Sequence, residues 1–139
     1  MIKLLLSSHG YLADGICSSL KIIMGEQINI RTICAYTEEE FDLKKEVSDI
    51  LKDLSDEDKL IVVTDIFGGS VNNEFMNNLN KNNLYLIAGL SLPLVIELMA
   101  ISDENDIEEK IINALENAKN SIQYCNSIIK SSNIEEDTF

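Results

Sequence analysis

The chain contains a single histidine, His9, which stands where the apolar run Ile2-Lys3-Leu4-Leu5-Leu6 gives way to Ser7-Ser8-His9-Gly10. Any imidazole chemistry in this protein is therefore chemistry of His9. A second apolar run, Leu60 to Val63, ends in Thr64-Asp65-Ile66-Phe67-Gly68-Gly69-Ser70, bringing a carboxylate, paired glycines and a hydroxyl to a strand end. A carboxylate that accepts a hydrogen bond from imidazole Nδ1 fixes the tautomer and leaves Nε2 as a nucleophile toward phosphorus or carbonyl carbon. Gly68 and Gly69 would let backbone N–H groups converge, and the start of a helix at Ser70 would favour a bound anion. Gly10, Phe67 and Ser91 are candidate rim residues. Taken singly, each feature has a plainer meaning: a hydrogen-bonded loop histidine, an aspartate turn or cap, a Gly-Gly-Ser turn. Their joint placement gives the functional reading its weight.

Short apolar runs alternate with segments of helical period, the pattern of a parallel sheet covered by helices. Strands are expected near Ile2 to Leu6, Ile28 to Cys34, Leu60 to Thr64 and Leu84 to Ala88. The first helix should span Tyr11 to Met24, with Leu12, Ile16, Leu20 and Ile23 inward and Gly25 as its C-terminal cap. Thr37 and Glu40 form a capping box for a second helix, whose buried stripe is Leu43, Val47, Ile50 and Leu54. A third helix follows Ser70, with Val71, Phe75, Met76 and Leu79 inward, and Lys81-Asn82-Asn83 turns into the fourth strand. Pro93 suits the first turn of a helix near Leu94 to Ile101. One last helix should carry Ile107, Ile111, Leu115, Ala118, Ile122, Cys125 and Ile129 as a stripe that packs on the sheet or on a second subunit.

Right-handed crossovers cover both faces of such a sheet only if the chain reverses direction across it once. The commonest small solution is strand order 2-1-3-4, whose ligand crevice opens between the C-terminal ends of strands one and three. Those ends carry His9 and Asp65. The expected fold is thus an α/β three-layer sandwich with a mainly parallel sheet, with residues 1–130 as one domain and 131–139 as a polar, acidic tail.

At 139 residues and 45% apolar composition the chain can build a real core. A net charge of −13, from 24 acidic against 11 basic residues, repels phosphate backbones and anionic membranes. Nucleic acid is not an expected partner and a protein with a basic docking face suits the charge better, although by itself such charge reads first as solubility. Cys17, Cys34 and Cys125 are odd in number and widely spaced, which reads as reduced, packed thiols of a cytoplasmic protein. No secretory signal pattern or membrane-spanning apolar run is evident. No ligand-spaced metal cluster and no P-loop stands out, so neither a metal nor another cofactor is expected.

In order and spacing, Ser8-His9-Gly10, then Asp65-Ile66-Phe67-Gly68-Gly69-Ser70, then Ala88 to Pro93, the chain resembles the mannose-family enzyme IIA component of the phosphoenolpyruvate-dependent sugar phosphotransferase system over Met1 to Lys130. The resemblance implies that His9 accepts a phosphoryl group from the phosphocarrier HPr and passes it to an enzyme IIB on a separate chain. Asp65 would be its carboxylate partner, and Gly68, Gly69 and Ser70 would surround the phosphoryl group. It also implies a cytoplasmic homodimer, with a strand near the C-terminal part exchanged between subunits and membrane contact only through the transporter complex. One departure is that Val71 stands where the family usually has Pro, so its backbone N–H is retained. The phosphotransfer subunit of dihydroxyacetone kinases shares the fold and the N-terminal histidine, but carries a different glycine segment after strand three. A receiver-like domain phosphorylated on Asp65 would need acidic residues after strand one, where Ser7-Ser8-His9-Gly10 has none. A Ser-His-Asp hydrolase would need a nucleophile elbow that Gly69-Ser70-Val71-Asn72 does not supply.

Overall fold

The computed structural model describes the backbone of residues 1–136 and the side chains of residues 1–131. Strands β1 (Ile2–His9), β2 (Ile30–Ala35), β3 (Lys59–Thr64) and β4 (Leu84–Ala88) alternate with helices α1 (Leu12–Met24), α2 (Leu43–Asp53) and α3 (Ser70–Met76). Helices α4 (Leu92–Met99), α5 (Ile107–Asn120) and α6 (Cys125–Glu136) follow. The sheet is parallel throughout in the order β2-β1-β3-β4, as the crossover argument requires.

Adjacent residues of a strand face opposite ways, so each strand feeds two cores. Leu6, Ile61, Val63 and Ile87 pack with residues of α1, α4 and α5 on one face. Leu5, Val62 and Leu84 pack with Val47, Ile50 and Leu51 of α2 and Val71 and Phe75 of α3 on the other. Three layers result, with the central strands β1 and β3 carrying the continuous buried runs and the edge strands β2 and β4 only partly covered.

Strand β1 continues past Leu6 to His9, because Ser7, Ser8 and His9 keep the ladder with Ile33, Cys34 and Ala35 of β2. The serines are fully buried despite their turn-like composition. Ser8 then starts α1: its hydroxyl donates to Gly10 O at 3.0 Å and accepts from Ala13 N at 2.9 Å. Helix α1 closes at Gly25, whose φ of 100° suits a residue without Cβ and whose N–H returns to Lys21 O.

Several expected details differ. Helix α2 begins at Leu43, capped by Asp42 accepting from Lys45 N at 3.2 Å, and the Thr37 hydroxyl donates instead to Cys34 O. The Thr37–Glu40 box lost because Thr37 satisfies the end of β2 locally. Leu12 and Ile23 of α1 are exposed and Ala13 and Leu20 carry its contact; Met76 and Leu79 are likewise exposed. The single last helix is two, α5 and α6, separated at Ser121 to Tyr124. Ile107, Ile111 and Ala114 of α5 are buried on the sheet face, with Leu115 and Ala118 against them, whereas Ile122, Cys125 and Ile129 are exposed. Cys125 is therefore not a packed thiol. Helix α6 runs across the expected 130/131 boundary, while residues 137–139 of the expected tail lie outside the described residues.

Candidate functional site

The site is assembled by register. Ser7 pairs with Thr64 across β1 and β3, and His9 pairs with Ala35 across β1 and β2. The loops after β1, β2 and β3 therefore leave the sheet at one edge, which places Asp65 beside His9 with no further adjustment.

Asp65 Oδ2 accepts two hydrogen bonds from His9, from the backbone N at 2.8 Å and from ring Nδ1 at 2.7 Å. Oδ1 accepts from Ile66 N at 3.0 Å. An ionised carboxylate only accepts, so Nδ1 carries the ring proton and Nε2 presents its lone pair. Burial pushes the Asp65 carboxyl upward, but the hydrogen bonds from the His9 backbone and ring, with the ring's charge, outweigh it and hold the pKa below the ordinary aspartate value. Asp65 is 11% exposed and His9 43%, so the orienting group is enclosed and the nucleophile is open.

The glycines have separate tasks. Gly68 takes a φ of 80°, a left-handed turn that a side chain would strain, and its carbonyl accepts from Asn73 Nδ2 at 3.1 Å. Gly69 lies against the imidazole: a Cβ there would stand 3.3 Å from His9 Cε1 and 2.8 Å from Ile66 Cγ2. Ser70 opens α3, with its Oγ 3.3 Å from His9 Nε2. Val71 is the second helical residue and fully buried among the residues of α2 and the sheet, so core packing anchors this loop.

The structure thus brings together His9, Asp65, Gly69 and Ser70, with Gly68 shaping the turn. Gly10, expected at the rim, has a φ of 60° and ties β1 to β2 through Gly10 N donating to Ala35 O at 2.8 Å. Phe67 is largely exposed in the loop after β3. Ser91 is used differently: its hydroxyl accepts from Leu94 N at 3.3 Å and caps α4. Tyr36 is the residue that sequence reasoning missed. Its hydroxyl lies 2.8 Å from Ser70 Oγ and its ring centroid 5.5 Å from that of His9. The available signal was its position one residue past Ala35, at the strand end next to β1.

Among solved structures, this parallel sheet with helices on both faces is the fold of phosphotransferase-system IIA proteins. A mannose/sorbose-specific IIA subunit from Enterococcus faecalis superimposes with a TM-score of 0.75 at 25% identity, covering 88% of this chain and 92% of that one. A protein of Klebsiella pneumoniae, described as a candidate permease of the phosphoenolpyruvate-dependent sugar phosphotransferase system, reaches a TM-score of 0.87 at 46% identity over 92% of this chain and 93% of its own. The fructose-specific EIIA component of Bacillus subtilis (strain 168) is 24% identical over 127 residues, 90% of this chain and 87% of the relative. Residues 3–115 match the family described as the fructose IIA component of the phosphotransferase system, and the chain belongs to that family. It is a sugar phosphotransfer component of IIA type. No helix among the described residues is long and apolar enough to cross a membrane.

Proposed function

We propose that this protein carries a phosphoryl group on His9 Nε2, taking it from phospho-HPr and giving it to an enzyme IIB. The observation that supports this most directly is the 2.7 Å bond between His9 Nδ1 and Asp65 Oδ2, which aims an unprotonated Nε2 out of an exposed ring. In the forward step the Nε2 lone pair forms a bond to phosphorus as the donor's bond to phosphorus breaks. The Nδ1 proton stays on the ring, and Asp65 balances the positive charge that develops there. Gly68, Gly69 and Ser70 surround the transferred group. The return step to IIB is the same displacement with the ring as leaving group.

Residues 1–130 act as the IIA domain of a cytoplasmic homodimer, whose contact with the membrane runs through the transporter. Incubation with HPr, the enzyme that phosphorylates it and phosphoenolpyruvate should give a single acid-labile phosphoryl adduct by intact mass, dischargeable to IIB and absent from His9→Gln. A label that persists in His9→Gln would move the acceptor to Asp65, whose oxygens are already engaged by His9 and Ile66.

A further inference from the structure

Tyr36 stands beside His9, the phosphotransfer reading leaves it without a task, and its geometry is specific. It follows the last residue of β2 in the left-handed conformation, φ 64°, which is unfavourable for a residue with a Cβ and bulky ring. That turn lays the ring between the imidazole and Phe41, with centroids 5.5 and 5.6 Å away and the Phe41 contact edge-on. The phenol oxygen meets Ser70 Oγ at 2.8 Å, and Ser70 Oγ meets His9 Nε2 at 3.3 Å. Because Nε2 can only accept in the tautomer set by Asp65, Ser70 spends its single proton on Nε2 and Tyr36 donates to Ser70.

An incoming phosphorus must use the same Nε2 lone pair that Ser70 occupies. When the bond to phosphorus forms, the Ser70 proton is displaced from Nε2, and both hydroxyls stand beside an acceptor that carries dianionic charge. We propose that the Tyr36 hydroxyl is a second side-chain donor to the phosphoryl group on His9, turning from Ser70 to a phosphoryl oxygen as the group arrives. This rests on His9 being the acceptor. No proton changes owner in the turn: a neutral hydroxyl bond is exchanged for a charge-assisted one, which is roughly twice as strong.

The test compares wild type with Tyr36→Phe, which keeps the ring against His9 and Phe41. The exchange equilibrium with phospho-HPr should move away from phospho-His9 by about tenfold in the variant, the difference between a charge-assisted and a neutral hydrogen bond. The phosphohistidine ³¹P resonance should move with it. An unchanged equilibrium and resonance in Tyr36→Phe, with wild type labelled on His9, would overturn the Tyr36 assignment alone. An unlabelled wild type would overturn both it and the phosphotransfer reading. A measurement that needs no variant uses wild type carrying ¹³Cζ-tyrosine: the Tyr36 resonance should shift on phosphorylation, and a static resonance would refute the contact.

Discussion

His9 and Asp65 form a unit because one oxygen, Oδ2, takes both the backbone N–H and the ring N–H of the same residue. The imidazole is held at two points, and loss of the carboxylate charge loosens both. Asp65→Asn should remain folded yet transfer phosphate about 10²–10⁴-fold more slowly, the usual cost of losing a positioned acid–base partner. Rapid-quench transfer from phospho-HPr reads this directly, and wild-type rates would remove Asp65 from the mechanism. The same pair sets a pH response. Because the folded Asp65 pKa lies below its ordinary value, its contribution to stability is complete above about pH 3.9 and fades as pH falls through the lowered folded value. The gap in melting temperature between wild type and Asp65→Asn should therefore close as pH falls through the lowered Asp65 value; a gap that persisted well below it would contradict the sign. Ser70→Ala should do less than either change at the pair, because it removes one donor worth about 1.5–3 kcal/mol while leaving the acceptor atom in place.

At the scale of elements, the loop that carries the glycines is fixed from below. Thr64 Oγ1, at the end of β3, donates to Asn72 Oδ1 of α3 at 2.8 Å, and both side chains are buried. Asn72→Ala would leave the Thr64 hydroxyl with only the carbonyl of Ile87 at 3.4 Å, so it should lower stability by about 1–3 kcal/mol in denaturant unfolding. A neutral effect would mean that the loop is not held through this bond. The central elements were legible in the sequence because their signals are local and repeated: the apolar runs of β1, β3 and β4 and the Gly25 cap appear where periodicity places them. Strand β1 ran on through two serines because pairing of Ser7 with both neighbours and of Ser8 with β2 outweighs the turn preference of their side chains, which no local reading can weigh. The break between α5 and α6 was hidden because the apolar spacing continues across it, although burial stops at Ala118 among the described core residues. For the site, the order of the sheet was enough to bring His9 and Asp65 together. The Tyr36 contact depends on a left-handed turn that nothing in Ala35-Tyr36-Thr37 announces.

Across the whole molecule the dominant quantity is a net charge of −13, and it bears on two associations with opposite signs. Exposed Ile122, Tyr124, Ile128 and Ile129, around and within the start of α6, offer apolar surface that a second copy would cover in the proposed homodimer. Two such copies repel through their charge, so the apolar gain has to exceed a repulsion that salt screens over about 8–10 Å at 0.10–0.15 M. Docking of the donor works the other way. Glu38, Glu39 and Glu40 stand exposed in the loop after β2, which leaves the sheet at the same edge as His9, and a basic face would be steered toward them. Raising ionic strength should therefore tighten self-association, measured by sedimentation, while lowering the second-order rate of phosphoryl transfer from phospho-HPr, measured by rapid quench. A monomer at micromolar concentration in every salt would count against the dimer, and a transfer rate indifferent to salt would remove the acidic loop from docking. If both processes weakened together with salt, dimerisation would have to rest on ion pairs between subunits rather than on the apolar residues of this C-terminal segment, and Ile129→Glu, expected here to give a monomer, would leave the dimer intact.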